Sequence, residues 1–269
     1  MILKDKVAIV TGASSGIGIG IAEVFAEEGA TVVGVARRQR QGQEVAESIR
    51  QTGGQAIFVP CDISKEDQVQ KMVRAVIDKF ARVDILVNNA GVNFVKAFEE
   101  VTSEDWDRVM NVDFRGTFLC IKACIKHFLQ QGSGSVVNIA TVHTHACVPG
   151  AVPYDAAKWG MVGLTKSLAV EYGSQHIRFN CLSPGAIDTQ IWQDDLSAAE
   201  DPDACRDHWL SNIPMERVGT CREMGQAAAF LASDRASYIT GANLFAGGGM
   251  TSLLASKPDY ESKPLEGKG

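Results

Sequence analysis

Along the first third of the chain, short runs of β-branched residues alternate with segments of helical period. Val7-Ala8-Ile9-Val10 predicts a strand, and residues 16–28 predict a helix closed by Gly29. Strand 31–35, helix 43–51, strand 56–59, a helix over about 65–80 capped by Ser64, and strand 84–87 follow. Strands that are apolar on both faces and separated by helices require a parallel sheet covered on both sides. The rhythm continues with a helical stretch over about 103–130, strand 135–139, helix 153–172, strand 178–182, a helix over about 222–231 and a short strand at 242–245. The expected class is therefore α/β, with one doubly wound sheet.

Residues 186–215 break this rhythm with Trp192, Trp209 and the acidic pairs Asp194-Asp195 and Glu200-Asp201. The segment is too apolar at its ends for a linker and predicts a lid or substrate loop. A chain of 269 residues suits one large domain that needs no disulfide or metal staple. We expect that domain to span residues 1–256. The tail, 257–269, is rich in Lys, Glu, Pro and Gly, and is expected to be loose or to lie on a neighbouring subunit. A formal net charge of −6 argues against a nucleic-acid partner, because phosphates need a basic face. Seven cysteines, an odd number with no C-x-x-C pair, read as reduced thiols. Cys120 and Cys124 form at most half a metal site with no second pair, so no metal is expected. The start Met1-Ile2-Leu3-Lys4-Asp5-Lys6 shows no cleavable apolar region, and no stretch is long enough to span a bilayer. The expected location is the cytoplasm, with no membrane partner.

Thr11-Gly12-Ala13-Ser14-Ser15-Gly16-Ile17-Gly18 follows the first strand and opens a helix. Glycines there let a pyrophosphate approach main-chain N–H groups at the positive end of the helix. The spacing is G-x-x-x-G-x-G, not the generic G-x-G-x-x-G. A strand–loop–helix context of this kind predicts a Rossmann-type nucleotide site formed by Gly12, Ser14, Ser15, Gly16, Ile17 and Gly18. The second strand ends Ala36-Arg37-Arg38, where an acid would bind the ribose hydroxyls and repel a 2′-phosphate. Ala36 removes that acid and Arg37, with Arg38 beside it, can pair with a phosphate, so NADP(H) is expected over NAD(H). The bland reading of the two arginines is a solvated pair at a helix start. Asp62, with Ile63 after it, is placed to accept from the adenine amino group. Asn89, Ala90 and Gly91 supply small and polar positions beside the adenosine.

Tyr154 and Lys158 stand at i and i+4, on one face of a helix. A phenol titrates near pH ~10 in water, and a nearby ammonium lowers that value toward useful acid/base work. Alone, Y-x-x-x-K is a weak signal. Together with Thr11–Gly18, Asn88–Gly91, Asn111 and Pro184-Gly185, in this order and spacing, it resembles the short-chain dehydrogenase/reductase family over about residues 4–250.

That resemblance implies a seven-stranded doubly wound sheet, hydride transfer at a nicotinamide between a secondary alcohol and a carbonyl, and a homo-oligomer, usually a tetramer. Tyr154 would be the acid/base, and Lys158 would bind the nicotinamide ribose and tune Tyr154. Asn111 would hold a relay water through its main chain. Pro184, Gly185, Ile187 and Thr189 would meet the carboxamide and diphosphate. Thirteen residues before the tyrosine, where the family has serine, stands Thr141, which keeps the hydroxyl and adds a methyl.

Within the family, Thr141-Val142-His143, Gly185–Thr189, Ile213-Pro214-Met215 and Leu244–Thr251 resemble glucose 1-dehydrogenase-like sugar and polyol dehydrogenases. The expected substrate is thus a sugar, a polyol or another small hydroxylated molecule, met by Thr141, His143, Tyr154 and Trp192. Asp155 and Trp159 fall on other faces of their helix and read as packing or interface residues. A steroid or other cyclic-ketone dehydrogenase, an acyl-carrier ketoreductase and a catalytically silent nucleotide-binding regulator are the alternatives. The last would have lost Tyr154 or Lys158. The acyl-carrier enzymes usually carry arginines where Gly132 and Gln175 stand.

Overall fold

The computed structural model describes residues 1–254; the predicted tail and the domain's expected end at 256 lie outside the described residues. The strands are β1 (Val7–Thr11), β2 (Thr31–Ala36), β3 (Gln55–Pro60), β4 (Ile85–Asn88), β5 (Gly134–Ile139), β6 (Ile177–Pro184), β7 (Ile187–Asp188), β8 (Gly219–Thr220) and β9 (Asn243–Ala246). Seven of them form one sheet in the order β3-β2-β1-β4-β5-β6-β9, with every pairing parallel. Ile9 pairs with Val33 on one side and Leu86 on the other, so the strand order reverses beside β1 and opens a crevice at the carboxyl ends. β7 and β8 form a separate two-strand ladder.

One helix layer holds α1 (Gly16–Glu27), α2 (Gln39–Gln51) and α9 (Cys221–Ala232), whose Ile21, Phe25, Ile49 and Met224 pack under one face of the sheet. The other holds α3 (Glu66–Phe80), α5 (Gly116–Gln131) and α6 (Val152–Tyr172), with Met72, Val76, Leu119 and Phe128 as its core. Burying each such side chain stabilises the fold by roughly 1.5–3 kcal/mol. At the far edge, the Arg178 guanidinium donates to the carbonyls of Leu231, Ala232 and Ser233 and so closes the end of α9.

Four expectations are corrected. α2 begins at Gln39, a turn earlier than the apolar period, because Gly42 packs flush on Phe58 and extends the buried face with no side chain to show it. Ser64 does not cap α3; Lys65 stands at that cap, and the Ser64 hydroxyl donates to Asp62 at 2.8 Å. The stretch 103–130 is α4 (Ser103–Val109), a six-residue π-helical turn (Met110–Arg115) and then α5. The expected loop 186–215 carries two helices, α7 (Gln190–Ala198) and α8 (Pro202–Ser211). Their start signals were in the sequence: Thr189 caps α7, and Asp201 accepts from the amides of Asp203 and Ala204 just ahead of Pro202.

Candidate active site

A cavity of about 770 Å³ opens at the carboxyl ends of the strands, where the strand order reverses. A smaller depression of about 630 Å³ over α2 and β3 holds neither the tyrosine nor the glycine loop.

The nucleotide end of the cavity is built from main chain. Gly12 has φ +71°, and a Cβ there would meet Asn89 Nδ2 at 2.6 Å and Ala90 Cα at 2.9 Å. Thr11 ties the two loops together: its hydroxyl accepts from the amides of Asn89 and Ala90, at 3.0 and 3.1 Å. Ser15 caps α1 with no side-chain hydrogen bond, so the first amides of the helix have no protein cap. Gly12, Ser14, Ser15, Gly16 and Ile17 line the cavity. Gly18 does not; it is buried, and any Cβ there would strike the Gly12 carbonyl, so it keeps α1 close to its own loop. Arg37 and Arg38 line the rim, exposed, with no carboxylate in ion-pair range among the described residues. Asp62, Ile63, Asn89, Ala90 and Gly91 line the next stretch, and one Asp62 oxygen is already engaged by Ser64. Pro184, Gly185, Ile187 and Thr189 close the opposite wall, where the Thr189 methyl would lie 3.3 Å from a Cβ on Gly16. An uncapped helix start, glycine-only approaches and two unpaired guanidinium groups fit a nicotinamide dinucleotide.

Tyr154 and Lys158, both on α6, line the middle of the cavity with Thr141. Lys158 Nζ donates to the Ile139 carbonyl at 3.0 Å and lies 5.4 Å from the Tyr154 ring centroid. Thr141 starts a short 3₁₀ turn, Val142–Thr144, and its hydroxyl accepts from the His143 amide. Burial pushes the Tyr154 phenol above its ordinary pKa; Lys158 and the Thr141 hydroxyl pull it back, while Asp113 and Asp155 push it further up. Burial works against the Lys158 ammonium, but Asp113 and Tyr154 beside it hold its pKa above the ordinary value.

The structure corrects two readings here. Asn111 is exposed and lies outside the cavity lining, and its carbonyl already accepts from the Gly116 amide across the π turn. Asp113, fully buried, takes the place beside Lys158, with Oδ2 3.4 Å from Nζ and no other partner for that oxygen. Its Oδ1 accepts from the Val92 amide at 2.8 Å, which locks the loop after β4 to the lysine. Burial pushes the Asp113 carboxyl upward, against the pull of Lys158. A signal existed: Val109, Asp113, Thr117, Cys120 and Cys124 follow one buried helical stripe that excludes Asn111. Asp155, read as packing or interface, is instead bonded to His143, with Oδ1 2.7 Å from Nδ1.

At the outer end, His143 lines the cavity edge-on to Tyr154, with ring centroids 5.8 Å apart. Trp192 of α7 and Trp209 of α8 meet edge to face at 5.7 Å and also line it. His208 stays exposed and outside the lining. His145, on the lining too, packs edge-on against Phe245. Among the described residues no three metal-ligating side chains cluster, and no helix is long and apolar enough to cross a membrane. Cys120 and Cys124 are buried thiols, the latter pushed by burial up to about 12.

Known proteins agree with this geometry. The family model described as enoyl-(acyl carrier protein) reductase matches residues 12–251. Glucose 1-dehydrogenase 2 of Bacillus subtilis (strain 168) is 40% identical over 252 residues, 93% of this chain and 96% of that one. A 3beta-hydroxysteroid dehydrogenase 1 of Eggerthella lenta is 39% identical over 251 residues, 93% of this chain and 95% of its own. A 3-oxoacyl-(acyl-carrier-protein) reductase of Chlamydia muridarum is 38% identical over 250 residues, 93% and 98% of the two chains. The crystal structure of levodione reductase superposes with a TM-score of 0.89 at 33% identity, covering 93% of this chain and 98% of that one. The chain belongs to the short-chain dehydrogenase/reductase family and is an NAD(P)-dependent oxidoreductase acting on CH–OH groups.

Proposed function

We propose that this enzyme interconverts a secondary alcohol and a carbonyl on a sugar, polyol or other small hydroxylated substrate, with NADP(H) preferred over NAD(H). The observation that carries the reading is the meeting of Tyr154, Lys158 and Thr141 in one cavity, with the glycine loop at one end and His143 at the other. The bound dinucleotide supplies a hydride acceptor or donor. In oxidation Tyr154 takes the alcohol proton, and in reduction it returns it. Lys158 keeps a positive charge beside the phenolate and would bind the nicotinamide ribose. Thr141 donates to the reacting oxygen. Ser14, Ser15, Gly16 and Ile17 hold the pyrophosphate, and Arg37, flanked by Arg38, pairs with a 2′-phosphate.

The Trp192–Trp209 pair favours a second reading, a cyclic ketone or steroid stacked on an aromatic wall. Assaying sugars, polyols, cyclic ketones and steroids with both nucleotides separates the two. Turnover confined to steroids would sink the polyol reading, and equal kcat/KM with NADH and NADPH would sink the cofactor preference.

A homo-oligomer, a tetramer by the family's habit, is part of the proposal, with the cytoplasm as its place of work. Trp159 and Val170 stand exposed on α6, 48% and 88%, with Gly163 between them open to close approach. An exposed apolar stripe of this kind suits a self-complementary contact with a second copy. Light scattering at micromolar concentration should give at least a dimer mass; a monomer mass rejects it.

A further inference from the structure

Proton transfer uses Tyr154, Lys158 and Thr141, and leaves one well-held polar group in the cavity without a task. That group is His143. Its Nδ1 lies 2.7 Å from Asp155 Oδ1, and the two side chains are only 18% and 9% exposed. Its main chain is fixed from both sides: the amide donates to the Thr141 hydroxyl at 3.3 Å, and the carbonyl accepts from Trp159 Nε1 at 3.1 Å. The ring lines the cavity, and among the described residues no hydrogen bond engages Nε2.

A carboxylate only accepts, so a neutral imidazole beside Asp155 carries its proton on Nδ1 and turns a lone pair on Nε2 outward. The titratable groups that touch it are Asp155 and Tyr154 on α6 and Cys147, whose thiol donates to the His143 carbonyl and is pushed upward by burial and by Asp155; Lys158 and Asp113 act on Tyr154 beyond them. None of them is a donor to Nε2. With ring centroids 5.8 Å apart, Tyr154 and His143 border one part of the cavity, so a single small ligand can present one oxygen to each.

We propose that Asp155 positions His143 so that Nε2 accepts a hydrogen bond from the hydroxyl on the carbon next to the one oxidised, which makes vicinal diols the preferred substrates. This rests on the dehydrogenase reading above. Asp155 is a positioning residue: it touches no substrate and acts by setting which imidazole nitrogen bears the proton. The reaction is unchanged by it, with one C–H hydride going to the nucleotide and one O–H proton to Tyr154.

The test measures kcat/KM with NADP⁺ at pH 9, above the range in which imidazoles ordinarily titrate. The probes are trans-cyclohexane-1,2-diol, its monomethyl ether and cyclohexanol. The readout is the diol-to-cyclohexanol ratio, in which any general loss of proton transfer cancels. His143→Phe should lower that ratio about tenfold, the size of one hydrogen bond. Asp155→Asn should lower it as well, because an amide can donate to Nδ1 and move the proton to Nε2. With NADPH in place of NADP⁺, the same variant should then gain in the reduction of cyclohexane-1,2-dione, whose second oxygen accepts. In the unaltered enzyme the monomethyl ether, stripped of its donor, should be about tenfold poorer than the diol. Ether and diol turned over alike, or a ratio unmoved by both substitutions, would overturn the proposal while leaving the dehydrogenase intact. No oxidation of any of the three alcohols by the unaltered enzyme would overturn both this proposal and the small-alcohol reading of the substrate.

Discussion

The two ends of the cavity are built by different means. The nucleotide end hangs on sheet ends: Thr11 is fully buried, Ala13 is 1% exposed, and the loops after β1 and β4 are bonded to each other through Thr11 and Asn89. The substrate end rests on α7 and α8, neither of which buries a single residue completely. Those helices are held by their caps, by the Trp192–Trp209 contact and by the buried anchors Ile187 and Ile213. Sub-global opening draws on such sparsely buried elements, so the outer wall can change shape while the nucleotide seat stays fixed. Tyr154, Lys158 and Thr141, the proposed chemical centre, line the cavity at the seam between the two.

The largest expected effect is at that seam. Tyr154→Phe removes the proposed acid/base and should lower kcat by roughly 10²–10⁴ with cofactor affinity kept, as read by nucleotide fluorescence titration. Retained turnover would move the chemistry away from that seam altogether. Thr141→Val, nearly isosteric but without the hydroxyl, should cost roughly 10²–10³ in kcat, while Thr141→Ser should stay active. If Thr141→Val turns over within a few-fold of the parent, Thr141 only packs.

At the rigid end, Arg37→Ala should weaken NADPH binding by roughly 1.5–3 kcal/mol, about ten- to a hundredfold, and leave NADH nearly unchanged. Equal losses for both nucleotides in a titration would show that Arg37 does not read the phosphate. The smallest effect is a shift, not a loss. Burial first, and Asp113 with it, raises the Tyr154 phenol. Asp113→Asn removes a negative charge, so the phenolate forms at lower pH and the rising limb of the oxidation profile moves toward acid. An unmoved limb would mean that Asp113 carries a proton at working pH.

Much of the rigid half is legible from local spacing. A glycine loop between a strand and a helix, and a Tyr–Lys pair at i and i+4, state their geometry within one turn of chain, and the structure brings them to one cavity. The flap was only half legible. Asp201-Pro202 announced a helix start, but α7 and α8 show no buried stripe, so periodicity had nothing to detect.

By itself the sequence determined the parallel α/β architecture, the glycine loop and the Tyr154–Lys158 pair, because each depends on neighbours a few residues away. The tertiary structure decided which side chains met across elements. The stripe through Val109, Asp113 and Thr117 marks Asp113 as the inward-facing residue, but that it meets Lys158 follows only from the packing of the π turn against α6. Asp155 and His143, twelve residues apart on different elements, pair only because the 3₁₀ turn after β5 lies against the first turn of α6. Helical spacing fixes the face from which a side chain leaves, but packing against another segment fixes what it reaches.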